Sequence, residues 1–298
     1  MEANHKFNYA MKPDWAGMWE KGIKEAWADN MVIKHGSING AWDHSAGGYD
    51  ADLEYSNRRD LVGKITVSQP ETILDIGAGA GVFAIPLARV SKKIFAIEPS
   101  KEMLNILQKK AKKEGLANII SLRKKWEDAS SAELMKQNHG KFDVVLSSHS
   151  LYYITDLHRS FQKMNDICKG YVYLFTGCSG YTRDSAYEKL YLALHKKPLP
   201  PYPDYSSLYM VLREIGIQPD VEMIEAKVKK PVKSVEEVVD KWREYLNVKE
   251  LSGDQKDAVR EYLAGKIKEE NGELCHTYQY KNALIYWKVE QDAGGAAT

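Results

Sequence analysis

Thr72-Ile-Leu-Asp75-Ile-Gly77-Ala78-Gly79-Ala-Gly81-Val82 and, after it, Ile94-Phe-Ala-Ile-Glu98-Pro99-Ser100 decide how this chain folds. Ile73, Leu74 and Ile76 make a short apolar run, the pattern of a parallel strand covered on both faces. The glycines that follow lack Cβ, so the backbone can turn sharply and a ligand can approach the main chain. Val82 to Val90 reads as a helix whose first N–H groups face that ligand. Ile94 to Glu98 reads as the next strand. Its closing acid stands about twenty residues beyond the glycines, where a carboxylate accepts ribose hydroxyls. Strand, glycine turn, helix and acid-ended strand form the front half of a nucleoside-binding βαβ unit.

Two ligand classes fit that unit. Gly79-Ala-Gly81-Val-Phe-Ala84 satisfies the GxGxxA form of the dinucleotide fingerprint and supports an NAD(P)-dependent oxidoreductase as the alternative. The other pattern is an acid at the strand end followed by three alternating glycines, Asp75-Ile-Gly77-Ala-Gly79-Ala-Gly81. In this the sequence resembles the class I S-adenosylmethionine-dependent methyltransferases, whose first motif has this form. The resemblance covers about residues 70–178 and, loosely, the last strand. A pyrophosphate needs helix N–H groups aimed at it. S-adenosylmethionine has no phosphate and carries an α-ammonium that Asp75 can favour directly or through water. The strand-end acid therefore decides for methyl transfer. A third reading keeps the fold as a non-catalytic module that binds S-adenosylmethionine weakly or not at all.

The resemblance implies a site. Asp75, Gly77, Ala78, Gly79 and Gly81 would line the methionine half of the cofactor, Glu98 would hold the ribose, and Pro99 and Ser100 lie at the turn beside it. In Lys124-Lys-Trp126-Glu127-Asp128, after the third strand, either Glu127 or Asp128 would take the adenine amino group and Trp126 would stack. The fourth strand ends in Ser147-Ser-His149-Ser-Leu-Tyr152-Tyr153, the loop that borders cofactor sulfur and substrate in this family. His149 is the candidate general base, because imidazole titrates near neutrality, and Tyr152 or Tyr153 a candidate lining group. Ser147 is expected on the cofactor. Trp42 and Tyr49, before the first strand, suit a segment that folds over it. No Pro-Pro-Tyr/Phe tetrad follows strand four, which weakens the adenine-N6 and protein-glutamine subclasses.

Composition bounds the rest. Lys plus Arg is 42 against 41 Asp plus Glu, a formal net charge of +1, so no charge excess argues for nucleic acid or an anionic membrane as partner. No apolar run approaches the roughly twenty residues of a membrane span, and Met1-Glu-Ala-Asn-His-Lys lacks a signal-peptide pattern. Cys168, Cys178 and Cys275 are odd in number and far apart, so neither a disulfide framework nor a metal site is expected, and the expected location is cytoplasmic. No HExxH, GxSxG or GKS/T is present. The expected partner is a small organic acceptor, apolar or aromatic given 18 Tyr and 7 Trp, many outside the core; the composition leaves the oligomeric state open.

The fold expected is a doubly wound α/β, seven-stranded Rossmann-like methyltransferase sheet, mostly parallel, with helical lid and cap additions. Strands are expected near Thr72–Ile76, Ile94–Glu98, Asn118–Arg123, Phe142–Ser147, Tyr171–Thr176, Val221–Val228 and Thr277–Val289, the last antiparallel beside the fifth if the resemblance holds. Residues 1–60 read as an N-terminal helical lid, with Trp15, Met18, Trp19, Ile23 and Trp27 at helical spacing and breaks at Gly36, Gly40 and Gly47-Gly48. Residues 61–290 read as the cofactor-binding domain, with helical insertions at about 181–215 and 234–271, and 291–298 as a flexible tail. Tyr187, Leu190, Tyr191 and Leu194 form one helical stripe, which ends in the stiff run Pro198-Leu-Pro-Pro-Tyr-Pro203. Ser234 to Glu237 and Ser252 to Gln255 are capping boxes. Their helices are expected to bury Val235, Val238, Val239 and Trp242, then Val259, Tyr262, Leu263 and Ile267.

Overall fold

The computed structural model describes residues 13–25, 37–53, 57–65, 69–178, 185–199, 204–245 and 249–290. Among them one sheet runs in the order β3-β2-β1-β4-β5-β8-β6, with β7 pairing β8 off that path. The strands are β1 Thr72–Ile76, β2 Lys93–Ile97, β3 Ile119–Leu122, β4 Phe142–Ser148, β5 Cys168–Gly177, β6 Asp220–Pro231, β7 Ile267–Glu270 and β8 Glu273–Lys288. The first five are parallel, and β8 runs antiparallel between β5 and β6. From β1 the chain moves outward to β2 and β3, then returns to β4 on the other side. A crevice opens at such a reversal, outside the carboxyl ends of β1 and β4.

Burial follows the strand pleat. Leu74, Ile76, Phe95, Val145 and Leu174 face one core, with Trp19 of α1 (Trp15–Ile23) and Phe161 of α6 (Leu157–Ile167). Ile73, Ala96, Val144 and Phe175 face the other, under α3 (Ala84–Ala88) and Leu107 of α4 (Lys101–Lys113). The remaining helices are α2 (Ile38–Leu53), α5 (Ser131–Asn138), α7 (Ser185–His195), α8 (Tyr205–Glu214), α9 (Val235–Tyr245) and α10 (Gly253–Leu263). A separate apolar cluster joins Leu190, Val238, Val239, Val259 and Leu263 from α7, α9 and α10.

Several expectations change. The helix expected over Val82–Val90 is regular only over Ala84–Ala88: Pro86 has no N–H to bond the Val82 carbonyl, so the first turn stays irregular. The break expected at Gly40 and Gly47-Gly48 is absent. α2 runs straight through them, held by Ala46, Trp42 and Tyr49 against Ala80 and Met103. Tertiary packing here outweighs the glycines' low helix propensity. Met18 is 55% exposed, and Val235 is exposed rather than buried. Ile267, expected in the last helix, begins β7. The β7–β8 hairpin turns on Asn271 and Gly272, both at positive φ, as a two-residue I′ turn demands. Only Ser252–Gln255 closes a full capping box; Glu237 reaches back to the Lys233 amide instead of that of Ser234. Trp27, Gly36, the start of the 181–215 insertion, the proline run at 200–203, the side chain of Tyr153 and the tail 291–298 lie outside what is described.

Candidate active site

The glycine loop between β1 and α3 is fastened to the end of β2. The Gly77 and Ala78 amides both donate to the Ile97 carbonyl, at 2.8 and 3.0 Å, and the Gly79 amide donates to Glu98 Oε2 at 3.0 Å. Gly77 stands at φ +70°, and a Cβ there would sit 2.2 Å from Ser150 Cβ. Both the conformation and the close approach require glycine. Ser150 itself bonds the Ile76 carbonyl and the Ser147 hydroxyl, each at 2.6 Å, which ties the end of β1 to the loop after β4. Glu98 is buried, and its other oxygen accepts the Ser100 amide at 2.8 Å. Burial raises its pKa against the pull of those two amides.

Asp75 is the least satisfied polar group of the loop. It is 2% exposed and leaves Oδ2 without a hydrogen-bond partner. Burial first and the nearby Glu98 charge second raise its pKa to about 7. A buried carboxylate with an empty lone pair favours an incoming cation. Asp75 lines a recess of about 30 Å³ together with Ala78, Gly79 and Tyr49.

A larger cavity of about 370 Å³ lies beside this recess. Its floor is Gly77, Gly79, Glu98 and Pro99; one wall is Lys125, Trp126 and Glu127; another is Ser148, His149, Ser150 and Ile154. Trp42 and Tyr49 of α2 cover it, meeting edge to face at 5.3 Å. The Trp126 indole N–H donates to Ser160 Oγ, and Lys163 Nζ stands 3.7 Å over the ring while holding the Trp126 and Ala129 carbonyls. Desolvation lowers the Lys163 pKa to about 8.

His149 holds φ +52° and donates its amide to the Phe175 carbonyl at 2.8 Å. Behind it the Tyr152 hydroxyl lies 3.4 Å from His149 Nδ1, 3.0 Å from Thr176 Oγ1, and accepts the Gly177 amide at 2.8 Å. Tyr152 stacks on Trp19, whose indole N–H donates to the Ile154 carbonyl.

The structure therefore brings together at the cavity Gly77, Gly79, Glu98, Pro99, Trp126, Glu127, His149 and Tyr49, with Asp75 and Ala78 in the recess. It does not bring Gly81, which packs toward Leu107, nor Asp128, whose neighbour Glu127 lines the wall. Ser147 is fully buried in β4 opposite Ile76, since alternate strand residues face opposite ways; Ser148 takes its expected place. Tyr152 stands behind the wall. Met103, Lys125 and Ser150 were not singled out from sequence; the first follows from the Ser100 cap, which starts α4 with Met103 pointing back over β2.

The loop amides are engaged by Ile97 and Glu98, the carboxylates of Glu98 and Glu127 line the hollow, and that of Asp75 lines the recess beside it. A pyrophosphate would meet negative charge there, whereas an ammonium and a ribose would meet acceptors. Fold and site together define a class: enzymes of methyl transfer from S-adenosylmethionine. A family described as "Methyltransferase domain" matches residues 49–220, more than half of the chain. The chain belongs to it and is an S-adenosylmethionine-dependent methyltransferase, which sets aside the nicotinamide-dependent and non-catalytic readings. An uncharacterized protein of Haemophilus influenzae is 28% identical, over 78% of this chain and 82% of its own. The ubiquinone biosynthesis O-methyltransferase of Methylocella silvestris is 35% identical over 28% of this chain and 30% of its own. The YcgJ protein of Bacillus subtilis shares the fold, with a TM-score of 0.50 at 15% identity, over 78% of this chain and 98% of that one. Among the described residues no helix is long and apolar enough to cross a membrane.

Proposed function

We propose that this methyltransferase acts on a small organic acceptor in the hollow under α2. The observation that carries the reading is the hollow itself: about 370 Å³, with Asn39, Trp42 and Tyr49 of a packed helix along one side, it has the size and the aromatic border of a small-molecule site. The net charge of +1 offers no general attraction to a polyanion. Named relatives include a ribosomal RNA methyltransferase and a ribosomal protein L11 methyltransferase beside the ubiquinone-pathway enzyme, each matched over less than half of either chain. The reading therefore rests on the cavity.

S-adenosylmethionine supplies a methyl group on a sulfonium, a leaving group that needs no activation. In our assignment Glu98 holds its ribose, Asp75 with its unpartnered Oδ2 faces its α-ammonium, Gly77 to Gly79 admit its methionine half, and Trp126 and Glu127 bound its adenine. The wall of Ser148, His149 and Ser150 borders the acceptor. Where the acceptor carries a proton, His149 takes it, and Tyr152 orients that ring through Nδ1 without touching substrate.

Methyl-labelled cofactor offered with small-molecule, RNA and protein fractions of cell extract tests the acceptor class. Label is expected in the organic-extractable small molecules. Label confined to RNA or protein overturns the reading.

A further inference from the structure

The cover helix and the buried acid of β2 are joined through one side chain. Ser100 donates its amide to Glu98 Oε1 at 2.8 Å and its hydroxyl to Asp43 Oδ1 at 2.6 Å. The same Asp43 oxygen accepts the Glu102 amide at 3.1 Å, and Ser100 Oγ accepts the Met103 amide at 3.2 Å. Asp43 thus acts as a second acid at the start of α4, next to the Ser100 cap, where a negative charge is favoured. Asp43 lies on α2 between Trp42 and Tyr49, which cover the cavity. Two turns further along, Asp50 pairs with Lys110 of α4. Among the described residues the helix over the hollow is therefore held to α4 by these two polar contacts and by Ala46 packed on Met103. The Asp43 contact runs, through Ser100, to Glu98, the buried carboxylate that lines the hollow.

We propose that Asp43 is a positioning residue for cofactor binding. By holding Ser100 it couples the seating of α2 to the orientation of Glu98, so that cover and cofactor bind cooperatively. The proposal rests on the assignment of Glu98 to the ribose. Coupling of this kind is reciprocal: if the seated helix orders Glu98 for its ligand, the ligand must in turn favour the seated helix. An acid that merely capped α4 would contribute to stability and leave the ligand's preference for the seated state unchanged.

The test is calorimetric titration of S-adenosylhomocysteine into the full chain, with hydrogen exchange of residues 38–53 measured with and without it. The variants are Asp43→Ala, Ser100→Ala, their double, Asp43→Asn and Glu98→Ala. Ser100→Ala keeps the main-chain amide that Glu98 accepts and removes the link to Asp43 together with the cap on the Met103 amide; a loss of binding due to the cap alone would add to that of Asp43→Ala in the double variant. Asp43→Ala and Ser100→Ala are each expected to weaken binding about tenfold, and the double variant no more than either single one. The wild type is expected to show ligand-induced slowing of exchange in 38–53, and both variants should abolish it. Asp43→Asn, which keeps an oxygen for Ser100 and Glu102, should bind within about threefold of wild type. Asp50→Ala, which removes the other polar contact, should also stay within about threefold. Additive losses, no rescue by Asp43→Asn, or wild-type binding and protection in Asp43→Ala overturn the proposal while Glu98→Ala still weakens binding. A Glu98→Ala protein that binds as tightly as wild type overturns the ribose assignment itself, and the coupling with it.

Discussion

The Gly79 amide and the Glu98 carboxylate meet at 3.0 Å, 19 residues apart in sequence, so the glycine loop is held open by the same acid that lines the hollow beneath it. Loop shape and ligand recognition therefore depend on one side chain. Glu98→Ala removes an acceptor from the buried Ser100 amide and the half-buried Gly79 amide. A hydrogen bond to a charged group contributes about 1.5–3 kcal/mol. We expect binding of S-adenosylhomocysteine to weaken by about one to two orders of magnitude in calorimetric titration, with a lower unfolding temperature of the unliganded protein. Unchanged affinity would remove Glu98 from the site.

Asp75 makes binding depend on pH, with a definite sign. Its carboxyl rises from 3.8 to about 7 in the folded, unliganded protein. The folded state thus holds this proton more tightly than the unfolded chain. Its contribution to stability is greatest at low pH and is lost as pH rises from about 4 to about 7, flattening above. An α-ammonium against Oδ2 favours the ionised form, so binding expels a proton below about pH 7. Affinity for S-adenosylhomocysteine should rise with pH up to that point and then level. Titrations in two buffers of different ionisation enthalpy should count the released proton at about pH 6 and find none at about pH 8. Asp75→Asn should abolish the release, weaken binding, and raise the unliganded unfolding temperature at the higher pH.

What could be read from the chain was local. The run Ile73 to Ile76, the Asp75 inside it, and the acid at the end of Ile94 to Glu98 lie within short windows, and all stand where their pattern put them. Asn271-Gly272 is likewise a local hairpin signal, and the chain turns there. Positions set by distant partners were not legible. Three glycines read as breaks in α2, yet Ala80 and Met103, far along the chain, supply the surface that keeps it helical. Ser147 and Ser148 differ by one position and so face opposite sides of the sheet, a choice fixed by pairing with β1 rather than by composition. Tyr152 read as a site residue, but its hydroxyl is drawn to Thr176 and Gly177 on the next strand.

The first two loop glycines should fail in different ways. Gly77→Ala forces a side chain into positive φ and against Ser150 Cβ at 2.2 Å. The backbone alone costs about 1–2 kcal/mol, and the overlap adds displacement of the loop after β4, so urea unfolding should show a loss of about 2–4 kcal/mol. Gly79→Ala also sits at positive φ, +53°, but its Cβ has open space around it. Only the backbone cost of about 1–2 kcal/mol applies to the unliganded protein. Because Gly79 lines both the cavity and the recess, the added methyl should cut cofactor affinity by more than tenfold. Equal stability losses in the two variants would contradict this reading of the loop.

Trp19 decides whether α1 is a lid or part of the core. Its ring is fully buried, stacks on Tyr152 at a centroid distance of 6.3 Å, and donates its N–H to the Ile154 carbonyl at 3.0 Å. It shares a core with Leu74, Val145 and Phe161. Truncating such an aromatic removes its transfer free energy and leaves a cavity, a loss of about 3–5 kcal/mol for Trp19→Ala. Trp19→Phe keeps an aromatic in the stack but strands the Ile154 carbonyl, at about 1–3 kcal/mol. Both losses should appear in chemical denaturation without ligand. A helix that only closed over bound cofactor would behave in the opposite way, with unliganded stability unchanged and the whole effect in ligand affinity. Because Ile154 lines the cavity and Tyr152 stands behind His149, Trp19→Ala should weaken binding as well. It should do so as a consequence of the loosened wall, and so in proportion to the stability lost across a Phe, Leu and Ala series at this position.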